Sequence, residues 1–138
     1  VVKVASLPAI ALLKIMAWKD RGKSTHGKDA IDLITICKQY QWAGNFERLF
    51  DEFSNQLEIY KDHDLVSAWM LGHDTALISS PKNARDVIDL LSDSNSKLLM
   101  AQHMSESQAG KINPIDFCLD SIEVFQNGFE SAANHADS

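Results

Sequence analysis

Residues 7–40 read LPAIALLKIMAWKDRGKSTHGKDAIDLITICKQY, and this stretch decides the fold. Its first half is apolar nearly all round and carries a single charge before Lys19, at Lys14. Ser6 is placed to cap a helix, and Pro8 falls in its first turn, where a missing N–H costs nothing. The spacing predicts a helix to about Asp20. Gly22–Gly27 (GKSTHG) is polar and flanked by glycines, hence a loop. A second helix is expected from about Lys28 to Gln41, with Ile31, Leu33, Ile34, Ile36, Cys37 and Tyr40 as its wide apolar face.

Outward from this hairpin the chain continues as helices. Upstream, Val1, Val2 and Val4 are β-branched and precede Ser-Leu-Pro, like the end of a strand entering a helix. Downstream, Trp42-Ala-Gly44 is a break, and Asn45 caps a short helix with Phe46, Leu49, Phe50 and Phe53 at helical spacing. Asp62–Asp64 opens another helix, which Gly72-His73-Asp74 interrupts or kinks. Ser80-Pro81 starts the next, and Leu98, Leu99, Met100 and Met104 belong to a further short one. Residues 105–111 (SESQAGK) have the composition of a linker. Asn113-Pro114 is a strong helix start, and the last helix is expected to end near Ala133. The class is mainly α, a single multi-helix domain with a possible short N-terminal strand. It divides into a helix–loop–helix core (1–42), a helical middle (43–104), a linker (105–112) and a C-terminal helix (113–133).

A chain of 138 residues suffices for one domain with a real core. A net charge of −6 argues against broad nucleic-acid binding while leaving room for a small basic site. Cys37 and Cys118 sit in apolar helical patterns with no metal-ligand spacing, as two buried thiols in a reducing compartment would. Lys3, Pro8 and Lys14 interrupt the apolar start, so no membrane span is expected, and the chain reads as cytoplasmic. It begins Val-Val without an initiator methionine, which is compatible with a piece of a longer protein.

Lys14 on an apolar helix needs a partner or an escape to water. Arg21 lies two helical turns on, near the same face. Together they can hold a polyphosphate, lysine as a point charge and arginine as a bidentate fork. Alternatively, Lys14 snorkels and Arg21 complements the helix dipole. Asp29 and Asp32, three apart, share one face of the second helix. They can position a base or share a metal, or serve only as first-turn acids. Arg21 and His26 form R-x-x-x-x-H, the spacing of HEPN ribonucleases. His73 and Asp74 suit either a helix end or a polar pair facing the site. Trp18, Trp42 and Trp69 are spaced as core residues.

VASLPAIALLKIMAWKDR followed by GKDAIDL resembles the later motifs of the AbiEii-type nucleotidyltransferases, toxins of abortive-infection and type IV toxin–antitoxin systems. Lys14-Ile15-Met16-Ala17, Arg21, Lys28-Asp29 and Asp32-Leu33 fill the family pattern. Asn45-Phe46-Glu47-Arg48-Leu49 and Leu71-Gly72-His73-Asp74 match it less specifically. The resemblance implies transfer of a nucleoside monophosphate from a nucleoside triphosphate with Mg²⁺ to an RNA or protein acceptor. Lys14 would contact the triphosphate, Arg21 would support it, and Asp29 or Asp32 would be the later essential acid. The family's G-S or G-T turn and D-x-D-like strand are missing here. The chain is therefore expected to be the helical C-terminal part of such an enzyme, inactive alone. Its expected partners are an N-terminal nucleotidyltransferase domain and an antitoxin. The other expectations are a non-enzymatic interaction module, in which Lys14 points to solvent away from Asp29 and Asp32, and a HEPN-type ribonuclease, in which Arg21 and His26 lie side by side at a symmetric dimer cleft.

Overall fold

The computed structural model describes residues 6–22, 24 and 26–136. Among these residues there are seven α-helices and no strand, so the protein is a mainly α multi-helix domain. The helices are α1 (Leu7–Arg21), α2 (Lys28–Gln39), α3 (Ser54–Tyr60), α4 (His63–Ile78), α5 (Pro81–Ser92), α6 (Ser94–Ser105) and α7 (Pro114–Ala136). Residues Tyr40–Trp42 and Phe46–Leu49 form short 3-10 turns. The strand end expected at Val1–Val4 lies outside the described residues.

Most helices start where short polar side chains stand ready to satisfy orphan N–H groups. Ser6 accepts from Ala9 N, Ser80 from Asn83 N, Asp93 from Ser96 N, and Asp62 from Asp64 N and Leu65 N. The start of α2 differs. Gly27 precedes it with φ 77°, a left-handed conformation, and caps it without a side chain.

The central helix is α4. Val66, Ala68, Met70 and Leu71 are buried on it, and its largest interface is with α7. Gly72 faces the Phe125 backbone and Gly128 faces the Trp69 backbone. One number rises as the other falls, so the two helices run antiparallel at close range. The α1–α2 hairpin packs on the other side, α1 against α4 and α2 against both α4 and α6. Ser67 ties the end of α2 to α4 by accepting from Gln41 N and donating to Cys37 O.

Four local expectations need correction. Helix α4 runs unbroken through Gly72-His73-Asp74, because that glycine admits the backbone of α7 rather than ending a helix. The apolar spacing at Phe46, Phe50 and Phe53 is a 3-10 turn followed by α3. Phe53 is buried, whereas Phe46 and Phe50 are exposed. Asn45 stands at the N-cap position of this segment as expected, but its side chain makes no cap bond. Its amide donates backward to Tyr40 O and Ala43 O. Trp42 is 66% exposed and not a core residue. The stretch expected as a linker is packed. Gln108 is buried and accepts from Lys38, and Lys111 lies 4.2 Å over the Phe117 ring.

Both cysteines are buried, and burial pushes the thiol of Cys37 up to about 12 and that of Cys118 up to about 11. The thiolate is the reactive form. At pH 8 the folded protein is expected to leave an aromatic disulfide reagent uncleaved, and the unfolded protein to react at both sites. Fast reaction in the folded state would contradict this burial. No helix among the described residues is long and apolar enough to cross a membrane.

Candidate functional site

The α1–α2 hairpin brings Lys14, Arg21, Asp29 and Asp32 together at one corner. Lys14 Nζ donates to Asp32 Oδ2 at 2.7 Å and lies 3.7 Å from Asp29 Oδ1. Arg21 Nε lies 3.7 Å from Asp29 Oδ2. Two turns of α1 thus set the cations, and one turn of α2 sets the carboxylates between them. The two acids are not equivalent. Asp29 is buried at 4% exposure, whereas Asp32 is partly open to solvent.

Asp29 Oδ2 is fully buried and has no hydrogen-bond partner among the described residues. A buried carboxylate without donors is costly, and here cations on both sides and the N-terminal turn of α2 offset that cost. Asp32, hydrogen-bonded to Lys14, raises the ammonium above its ordinary value, against the opposing effect of burial. Asp29 adds to the rise and Arg21 opposes it. The lysine is therefore a fixed positive charge near neutral pH. It is not a neutral amine available as base or nucleophile.

The turn between the helices is braced from behind by α6. Trp18 Nε1 donates to His103 Nδ1 at 2.9 Å. A Cβ on Gly27 would lie 2.4 Å from His103 Cγ, so position 27 requires glycine for space as well as for its positive φ. Beside this brace lies an open cleft of about 460 Å³, with Trp18, Lys19 and Arg21 on one wall and Leu90, Asn95 and Ser96 on the other. Arg21 borders both the cleft and the charged corner.

No protein-family model, curated protein sequence or solved structure matches this chain.

The corner does not fit a divalent metal by itself. No group of three or more metal-ligating side chains occurs among the described residues. Asp29 is enclosed by two cations, and the Asp32 oxygen nearest the corner is bonded to Lys14. Any Mg²⁺ there would need further carboxylates besides these two.

Not all of the other sequence candidates gather at this corner. Arg21 turns toward Asp29, and His26 is exposed on a left-handed backbone in the turn. Nor does Lys14 point away from Asp29 and Asp32, as expected of a bare interaction module. His73 and Asp74 belong to a different cluster, at the other end of α2. Asp74 accepts from both terminal nitrogens of Arg48 at 2.8 and 3.2 Å, from the Tyr40 hydroxyl, and has His73 Nδ1 at 3.0 Å. Burial acts to raise the Asp74 carboxyl, but the hydrogen bonds from His73, Arg48 and Tyr40 together hold it well below the usual carboxylate range. This cluster fastens the Tyr40–Phe53 segment to α4. Trp18 and His103, by contrast, were not suggested by any motif. Their contact spans 85 residues.

Proposed function

We propose that the chain is the helical C-terminal portion of an AbiEii-like nucleotidyltransferase, and that its α1–α2 corner binds the phosphates of a nucleoside triphosphate. The observation carrying this reading is Lys14, the one charge on the first three turns of α1, held protonated between two aspartates with Arg21 two turns away. A triphosphate entering the corner would exchange Asp32 for phosphate oxygens on Lys14 and take the Arg21 fork from the outside. Asp29, buried behind them, keeps both cations aimed outward. Asp32 is the better candidate for the family's essential acid because only it reaches solvent.

The reaction is attack of an acceptor hydroxyl, on RNA or protein, at the α-phosphorus, with pyrophosphate leaving. Lys14 and Arg21 stabilise charge that develops on the phosphates. The metal-holding carboxylates would come from an N-terminal domain. The outer face of α1 supports this arrangement, with Leu13 66% exposed. A partner antitoxin follows from the same resemblance.

The test is transfer of labelled nucleotide by the full protein. Lys14→Ala is expected to lower it by about 100-fold, in the range for removing one preorganised charge contact, with unfolding midpoints compared to exclude misfolding. Unchanged transfer by a folded Lys14→Ala protein would overturn the assignment.

A further inference from the structure

At the far end of α2, about 10–15 Å along the helix from the charged corner, three aromatic rings form an exposed ledge. Trp42 and Phe46 stack with centroids 4.9 Å apart, and Phe50 meets Phe46 edge-on at 5.4 Å. His63 borders both phenylalanines. Trp42 and Phe50 are 66% and 54% exposed.

The ledge is rigid from below. Leu49 and Phe53 are buried beneath it. Asn45 clamps the turn to Tyr40 O, and Arg48 is drawn inward to Asp74 and Asn45. Preordered aromatic side chains lose little entropy on binding, which is the character of interface hot spots. The surrounding charge is one-sided. Between Trp42 and Asp64 there are six acids and two bases. One of the bases, Arg48, is already spent on Asp74 and Glu52. Glu47, Asp51 and Asp62, in the same segment as the rings, are exposed, as is Glu52, which pairs with Arg48.

We propose that the ledge is a docking surface for a basic amphipathic segment of a partner protein, apolar residues on the rings and Lys or Arg on the acidic rim. The rim selects against nucleic acid, whose phosphates it repels, even though rings of this kind can stack on bases. The site is separate from the phosphate corner and does not depend on it.

The experiment titrates this chain with a short amphipathic helix of leucine and lysine, and with its counterpart of leucine and glutamate. Binding of the lysine peptide alone is expected. Trp42→Ser with Phe50→Ser leaves the net charge unchanged and is expected to weaken binding at least about tenfold. Glu47→Lys with Asp51→Lys is expected to weaken it similarly, whereas Asp89→Lys on exposed α5 is not. Circular dichroism of each variant checks the fold, which surface substitutions of this kind leave intact. The proposal is overturned if the two peptides bind equally, if the aromatic variant binds as well as the parent, if single-stranded oligouridine binds in place of the lysine peptide, or if sedimentation shows the ledge occupied by a second copy of the chain.

Discussion

Gly72→Ala is expected to destabilise the protein by about 3 kcal/mol or more, the upper range for overpacking a core, with Gly128→Ala close behind. Helix propensity alone predicts the opposite sign, since alanine in a helix interior is favoured over glycine by about 1 kcal/mol. Contact geometry decides. A Cβ at position 72 would lie 2.1 Å from Phe125 O, and one at position 128 would lie 2.2 Å from Trp69 O. Both obstacles are backbone atoms of helices that cannot rotate away as a side chain can, so α4 and α7 must separate. That separation loosens Met70, Leu71, Phe125 and Phe129, all buried there. Urea unfolding of the two variants measures the effect. A stability equal to or above the parent's would mean that the helices do not approach so closely.

Asp74→Ala is the second large loss, about 2 kcal/mol or more, as expected when one partner of a partly buried, hydrogen-bonded charge pair is removed. The Asp74 side chain is 13% exposed, and its loss strands the Arg48 guanidinium and the Tyr40 hydroxyl. Tyr40→Phe, which removes one donor from an acceptor that keeps others, costs about 1 kcal/mol. Arg48→Ala combined with Asp74→Ala is expected to cost less than the two single losses added, because they share one interaction. The pH dependence has a definite sign. The folded-state carboxyl is depressed below its ordinary 3.8. Its stabilisation is therefore fully present above that value and is lost as pH falls below it toward the folded value. Asp74→Asn is expected to flatten the acid limb of the stability curve, and an unchanged acid limb would show that Asp74 does not carry it.

What the sequence shows of this fold is what local rules control. Ser6, Asp62, Ser80 and Pro114 mark helix starts through short-range bonds, and the apolar faces of α2 and α7 repeat with the helical period. The corner was legible for the same reason, since its four charges sit on two helices joined by a short turn. Long-range choices were not legible. Gly72 has the local appearance of a helix break, and only α7, more than 50 residues later, explains it. Trp42, Phe46 and Phe50 carry the hydrophobicity of core residues, yet two 3-10 turns rotate them outward while Leu49 and Phe53 turn in. The His103 brace and the Arg48–Asp74 pair depend on partners that no spacing rule connects.

The most direct test of the proposed phosphate corner is a titration of this chain with inorganic tripolyphosphate, followed by amide shifts at residues 14–32. Phosphate binding at the corner requires a salt-sensitive response centred on Lys14 and Arg21. It should weaken by about tenfold in Lys14→Ala, the loss of one charge-assisted contact, and strengthen in Asp32→Asn, where the competing carboxylate is gone. If Lys14→Ala binds as tightly as the parent, or the shifts fall elsewhere on the surface, the corner is an internal ion-pair network that holds the hairpin together and not a nucleotide site.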